Sequence, residues 1–482
     1  MSIIIPANSA VGGGYAVDNS CRFNDGSSDY LSRTPGSAGN RRTWTFSAWV
    51  KRSQIGDTYN NLFSAGTDSD TNGYVQIAFW GDSQDWLEVS IWNSSIYRFR
   101  TTQLFRDPSA WYHIVIAFDT TQGTNTNRIK FYVNGEQITS FATYNTLAQN
   151  FDSAVNNTEI QKVGAGSSSG SSVNNYFDGY MCEVVMIDGQ QLTPTSFGEF
   201  DEDSGIWKPI SVSGLTYGTN GFYLDFESSG SLGNDAVGSN NFTVNNLTAI
   251  DQTTDTPTNN FATLNSLAKG SGSTFAEGNL KVTTTISNYN SSVASIGATQ
   301  GKWYWEMKLG NSGGSGGVTN YSMYGVTTNS PISVAEPPAQ EGRKWTYVKT
   351  AYGANFRYNE TGGSYVQVSY GSANSGNDIV MMALDLDNNF IYMGANGTWY
   401  NSGNPTSGAS GTGAAPRALV AGNTYFPSFT TSYGTNLEVN FGNAPYAISS
   451  GNTDGNDRGN FEYAPPSGFL SLCTANLSEV LG

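Results

Sequence analysis

The chain is short of the residues on which enzyme chemistry most often rests. Its 482 residues include one histidine, His113, and three cysteines, Cys21, Cys182 and Cys473. A single imidazole leaves Ser-His-Asp and Cys-His chemistry with one candidate base, and no Cys/His cluster has the spacing of zinc ligands. Three cysteines make no disulfide framework. Burial as small hydrophobes is the ordinary state of such residues, but Cys21 and Cys182 fall on the first and last strands expected of one sandwich, so a cross-strand bridge stays open. Charge is scarce at 13% of residues and one-sided, with 23 Lys and Arg against 39 Asp and Glu and a net charge of −16. Phosphate binding needs clustered cations that displace counterions, and no such cluster is present, which argues against direct nucleic-acid partners. The same balance opposes adsorption to an anionic membrane, and no apolar run reaches the ~20 residues of a membrane-spanning helix. The opening Met1-Ser-Ile-Ile-Ile-Pro-Ala has neither the basic nor the long apolar region of a secretory signal. No stretch of useful length carries a helical period.

What the chain has instead is 56 glycines, many Asn, Ser and Thr, and 13% aromatic residues. Turn formers between short strands, with aromatics to fill the interior, define an all-β protein. Disordered chains lack this aromatic and β-branched content. At roughly 150 residues per domain the length suits about three units, or two large all-β ones. The expected architecture is two antiparallel β-sandwich (jelly-roll) domains in tandem behind a short N-terminal arm.

The arm covers residues 1–17. Ile3, Ile4, Ile5 and Pro6 are its candidate anchor, and Gly12-Gly-Gly14 disfavours any regular element there. Strand alternation then dominates. Phe46, Ala48 and Val50 alternate with polar and aromatic neighbours, as do Leu87, Val89 and Ile91, Ile114, Ile116 and Phe118, and Ile129, Phe131 and Val133. The last of these runs enters Asn134-Gly135, a strong hairpin signal. Periodicity weakens from 196 to 262, which reads as a structured bridge between a first sandwich at 18–195 and a second at 263–482. Strands of the second include Trp303 to Leu309, Ile379 to Asp385, Phe390 to Met393 and Leu437 to Phe441.

The motifs Phe23-Asn-Asp-Gly26, Tyr30-Leu31, Thr45-Phe-Ser-Ala-Trp-Val50, Trp111-Tyr-His113, Phe131-Tyr-Val-Asn-Gly135 and Phe177-Asp-Gly-Tyr180 resemble the LamG-like, concanavalin A-like jelly-roll family. The second segment resembles a SPRY domain through Gly301-Lys-Trp-Tyr-Trp-Glu306, Val380-Met-Met-Ala-Leu-Asp-Leu-Asp387, Asn396-Gly-Thr-Trp399, Tyr425-Phe-Pro427, Val439-Asn-Phe-Gly442 and the closing Gly468-Phe-Leu-Ser-Leu472. The LamG-then-SPRY order, with Ile-Pro-Ala-Asn-Ser-Ala-Val-Gly-Gly-Gly at 5–14, resembles virion proteins of tailed bacteriophages, marine ones in particular. That resemblance implies a multicopy fibre, spike or capsid-decorating protein on the virion surface, assembled in the host cytoplasm without membrane insertion. Its implied partners are other virion structural proteins and host-surface glycan or protein.

Four constellations are candidates for chemistry. Some concanavalin-like sandwiches hydrolyse glycans with two carboxylates about 5–5.5 Å apart; Glu199-Phe-Asp201-Glu-Asp203 loosely echoes that arrangement but sits beyond the last recognised strand, as a solvated acidic loop would. His113 lies mid-strand among core residues, which suits a structural role. No cofactor is expected, although the LamG resemblance leaves calcium open through Asp68, Asp70, Asp178 and Asp225, a cation that takes six to eight oxygens. Sugar binding needs an exposed aromatic face beside hydrogen-bonding groups. Trp80, Trp86 and Trp92 with Asp82, Asp85, Glu88 and Asn93 offer both, and alternation sets Trp86, Glu88, Ser90 and Trp92 on one strand face. Packing of those tryptophans against a sheet or a neighbouring subunit is the competing reading. In the second module Tyr352, Phe356, Arg357 and Tyr358 form an aromatic-basic loop suited to a protein partner.

The function expected is thus a non-enzymatic virion surface protein of fibre or spike type that binds host-surface glycan or protein. The alternative is a capsid-decorating or tail-assembly protein that binds neighbouring virion subunits.

Overall fold

A computed structural model describes residues 14–56, 59–67, 73–81, 84–167, 172–284, 289–310, 322–328, 346–351, 353–361, 364–432 and 434–481. The candidate anchor Ile3, Ile4, Ile5 and Pro6 lies outside the described residues, as do Asp68, Asp70, Asp82 and Tyr352. The chain divides into two compact units and passes from the first to the second after Thr258. Both are built from antiparallel sheets, as the sequence expects, apart from one short parallel pair of Leu470–Ser471 with Lys302–Leu309.

In the first unit one sheet runs in the order Glu136–Ile138, Ile129–Val133, Trp111–Asp119, Thr43–Arg52, Gly179–Asp188, Ser20–Phe23, Gln252–Thr253, with Phe222–Leu224 paired to Gly179–Asp188. The other runs Phe141–Tyr144, Ser95–Leu104, Trp86–Asn93, Tyr74–Trp80, Tyr59–Gly66, Gln161–Val163, Tyr30–Arg33, Thr243–Asn245. The alternating apolar residues meet between them: Phe46, Ile114, Ile116 and Phe131 from one sheet, Phe63, Ile77, Val89 and Phe99 from the other. Phe46 and Phe63 bridge the layers with ring centroids 5.5 Å apart. The Asn134-Gly135 hairpin forms, with φ of 48° and 84°, the left-handed pair that matches strand twist.

The first sheet is buried on its outer side as well. Val115, Ala117, Val185 and Ile187 pack beneath Phe197 and Val212, while Trp49, Trp111, Tyr180 and Cys182 pack with Val17 and Trp207. This third layer comes from the stretch that reads as a bridge. Residues 196–258 also add the strands Phe222–Leu224, Thr243–Asn245 and Gln252–Thr253 to the two sheets. Asp255 closes the segment: its carboxylate accepts from Lys51 Nζ at 2.7 Å and from Trp111 Nε1 at 3.2 Å, with all three side chains buried. All three cysteines are free and buried. Cys21 lies opposite Met181, so Cys21 points into the core while Cys182, one residue on, points outward; strand alternation separates the two thiols.

The strand Gly179–Asp188 bulges between Cys182 and Val185, where Glu183 adopts a φ of 50°. Its buried carboxylate accepts from Tyr223 OH at 2.6 Å and Tyr15 OH at 3.3 Å. Burial pushes this carboxyl up to about 7, against the pull of those two hydroxyls and aided by Asp225 and Glu227. The native state therefore keeps a proton between pH 4.5 and about 7 that the unfolded chain has released. Stability from this group is full at the acid end and is lost as pH rises through that window. The protein is expected to melt higher at pH 5 than at pH 8 from this contribution, and Glu183→Gln to flatten the difference; thermal denaturation of both proteins across the range checks it.

The second unit pairs a seven-stranded sheet with an eight-stranded one around Trp303, Trp305, Met382, Ile391, Phe429 and Val439. The chain ends in the helix Thr474–Leu481, which sequence periodicity does not announce. Two turns are too short for propensity to hold. Tertiary contacts hold it instead, through Leu477 in the core and Asn476 Nδ2 donating to Asp454 Oδ2 at 2.7 Å and Ser471 O at 2.9 Å. No helix among the described residues is long and apolar enough to cross a membrane.

Candidate functional site

Because Leu87, Val89 and Ile91 face the core, Trp86, Glu88, Ser90 and Trp92 stand on the outer side of the second sheet of the first unit. Strand register extends this face into rows. Trp80 pairs with Trp86, which lies opposite Leu104; Ala78 pairs with Glu88 and Glu88 with Arg100. Ser64, Gln76, Ser90 and Arg98 form the next row, and Tyr74, Trp92 and Ile96 the last. Two polar rows thus lie between two aromatic ones.

Side-chain contacts lock this surface together. Glu88 accepts from Arg100 Nε at 2.6 Å and from the Ser90 hydroxyl, with Arg98 Nε 3.8 Å away. The Arg100 guanidinium stacks 4.2 Å from the Trp80 ring centre and 4.6 Å from that of Trp86, and Arg98 stacks 4.9 Å from Trp80. Tyr59 packs on Trp80 at 4.4 Å and Tyr74 on Trp92 at 5.1 Å. A small hairpin, Gly166–Ser167 with Val173–Asn174, covers one end: Lys162 Nζ donates to Ser167 Oγ at 2.6 Å, and Ser64 Oγ to Ala165 O at 2.8 Å. The other end stays open, with Ile96 50% and Leu104 37% exposed.

The sequence-predicted residues fare differently. Trp80, Trp86, Glu88 and Trp92 come together on this face. Asn93 alternates to the other side of its strand, at the hairpin end. Asp85 is buried and committed to the fold, accepting from Arg52 at 3.0 Å, Gly56 N at 2.9 Å and Arg106 at 3.2 Å. Arg98 and Arg100 are absent from the sequence reading, yet the signal exists. Ser94 takes a φ of 54° at the tip of a tight hairpin, and counting outward from it sets Arg98 against Ser90 and Arg100 against Glu88.

In the second unit Phe356, Arg357 and Tyr358 do not form a loop but lie in the strand Asn355–Asn359. Phe356 is in the core with Tyr358 packed against it, while Arg357 points the other way, stacked 4.6 Å from the Tyr365 ring centre and bonded to Gln367 at 2.9 Å. Alternation splits the three residues between faces, so they cannot act as one patch.

His113 is held between two tryptophans. Its Nδ1 accepts from Trp207 Nε1 at 2.9 Å, which sets the proton on Nε2, and Nε2 donates to Ser47 Oγ at 2.9 Å. An imidazole in this tautomer has no lone pair with which to take a proton from Ser47. Burial pulls its pKa down to about 3, in keeping with a neutral structural ring. The acidic run falls in the hairpin Gly198–Phe200 with Trp207–Pro209, outside both large sheets. There Asp201 caps its own turn through Ser204 N at 2.9 Å, and Lys208 bridges Asp201 at 3.2 Å and Glu199 at 3.3 Å. As for calcium, no three His, Cys, Asp or Glu side chains among the described residues are placed to share a metal ion. Asp225 Oδ1 accepts from Glu227 N at 3.2 Å.

Comparison with known proteins bears on the sandwich fold of the first unit. Residues 25–196 match the family described as the concanavalin A-like lectin/glucanases superfamily. No curated protein matches the chain significantly. Among solved structures, the SPRY domain of human HERC1 is 16% identical, covering 36% of this chain and 96% of that one, with a TM-score of 0.29. A candidate carbohydrate-binding protein of Bacteroides ovatus is 18% identical, covering 48% of this chain and 59% of that one, at a TM-score of 0.32. A heptameric SAP-like pentraxin of Limulus polyphemus is 15% identical over 37% of this chain and 78% of that one, at 0.28.

Proposed function

We propose that the chain is a non-enzymatic binding protein that holds saccharide on the outer sheet face bearing Trp80, Trp86 and Trp92, and that it serves on the surface of a tailed-phage virion as a fibre or spike component. One observation carries the binding reading. Of the outer faces of the two sheets in the first unit, one is sealed by a third layer, while the other presents half-buried tryptophans beside polar groups and arginines. Indole rings pack against the apolar faces of sugars, and neighbouring donors and acceptors take the hydroxyls. The absence of catalysis in this reading rests on His113 being spent on Trp207 and Ser47, and on Glu199 and Asp201 being tied to Lys208.

A single shallow sugar site near 1 mM corresponds to about −4.1 kcal/mol. Many copies on one particle raise avidity by ~10² to 10⁴, so a weak site suffices for attachment. The proposed mode uses no metal. Purified protein arrayed on beads is expected to retain host cells or their envelope polysaccharide, equally with and without a chelator. Periodate oxidation of the polysaccharide is expected to abolish retention; retention that survives it overturns the glycan reading. A second reading, binding of neighbouring virion subunits in a capsid-decorating role, is favoured by the exposed Ile96 and Leu104 at the open end of the face. Imaging of the particle separates the two, since a distal tip fits host recognition and a lattice-hugging position fits decoration.

A further inference from the structure

Resting on the reading of this face as a glycan site, we propose that its ligand is an acidic saccharide, one whose carboxylate or sulfate is taken by Arg98 and Arg100. The chain as a whole is acidic, with a net charge of −16. The open end of this face runs against that trend: among the described residues that line it, two arginines stand against one carboxylate, that of Glu88.

The state of the two guanidinium groups points to a missing partner. Arg100 donates its Nε to Glu88 at 2.6 Å, while its Nη2 is buried and makes no hydrogen bond. Arg98 Nε is likewise buried without a hydrogen bond, and the nearest Glu88 oxygen is 3.8 Å away. Glu88 is drawn to the Ser90 hydroxyl and to Arg100 Nε, and at 3.8 Å from Arg98 Nε it is too far to hydrogen-bond it. The Arg98 side chain is 36% exposed, so a group from solution can reach it. Donors of a guanidinium lie in a rigid planar fork that matches the two oxygens of a carboxylate or sulfate. Here the fork is also fixed in place, since Arg98 lies over Trp80 and Arg100 between Trp80 and Trp86. Stacking of this kind holds the cation still before the ligand arrives, which lowers the ordering cost of binding. A neutral sugar would use the indoles but leave these donors unanswered.

The test measures binding of the full chain to a polyuronate, a sulfated galactan and a neutral dextran of similar size. The polyuronate arm and the sulfated arm distinguish the two sources of the oxyanion. At least one acidic polymer is expected to bind more tightly than dextran by about tenfold or more, the worth of a charge-assisted hydrogen bond. That margin is expected to shrink as salt rises from about 0.05 to about 0.5 M, where charges are screened. Arg98→Gln removes no hydrogen bond of the fold and is expected to erase the margin, while Arg98→Lys, which keeps charge but loses the fork, restores only part of it. Equal binding of dextran and both acidic polymers, or an acidic preference untouched by Arg98→Gln, overturns the assignment of these arginines and leaves the glycan reading standing. Failure of all three polymers and of host polysaccharide to bind overturns both.

Discussion

Replacement of Trp86 and Trp92 together by Ala is expected to abolish retention of host cells while leaving the protein folded. Central aromatic anchors of an interface typically contribute about 2 kcal/mol or more each. Two such losses weaken a site by about a thousandfold, so one that starts near 1 mM falls beyond the reach of avidity. Stability is expected to change little, because neither ring belongs to the core: Trp86 stacks on Arg100 at 4.6 Å and Trp92 on Tyr74 at 5.1 Å. Circular dichroism and a melting curve supply the control. Unchanged adsorption by a folded double variant would move the site away from this face.

A fragment ended at residue 195 is expected not to fold, whereas residues 14–258 are expected to melt cooperatively. The shorter fragment lacks Phe222, Leu224, Phe242 and Leu247, all part of the central core. Removal of one buried aromatic ring costs about 3–5 kcal/mol. It also lacks Asp255, which leaves the Lys51 ammonium buried without its carboxylate. Breaking a buried pair costs about 3–5 kcal/mol by itself. Against a typical total of about 5–15 kcal/mol, these losses exceed what a domain can absorb. Asp255→Ala in the full chain removes this carboxylate from both Lys51 and Trp111, with an expected loss of about 3–5 kcal/mol in urea unfolding; a loss near zero would show that the buried pair adds nothing to stability.

The core of the first unit is legible in the sequence because alternation is a local property. Phe46, Ala48 and Val50, then Ile114, Ile116 and Phe118, name their own buried side by spacing alone, and each lies where that spacing puts it. The same rule sets Trp86 and Trp92 outward. What local spacing does not carry is pairing between distant strands. Phe222–Leu224 and Gln252–Thr253 are too short to show a period, and they become strands only because Gly179–Asp188 and Ser20–Phe23 offer free edges. The stretch 196–262 therefore looks like a bridge in sequence, yet as far as Thr258 it belongs to the first sandwich in space. Phe356, Arg357 and Tyr358 fail as a patch for the converse reason. Three neighbours in sequence look like a cluster, but a strand sends the middle one to the opposite face.

Composition and periodicity by themselves determined an all-β protein with sandwich units and tryptophans turned away from the core, since each follows from side-chain chemistry or from a period of two; that the thiols of Cys21 and Cys182 stay free was decided by register. Only tertiary structure decided which sheet face stays open and what stands beside the tryptophans there. Arg98 and Arg100 reach Trp80 through pairing of three strands, and the third layer closes the other sheet with residues distant along the chain, as Trp207 does on His113. Contacts of that kind depend on strand register in three dimensions, a quantity that no local run of residues encodes.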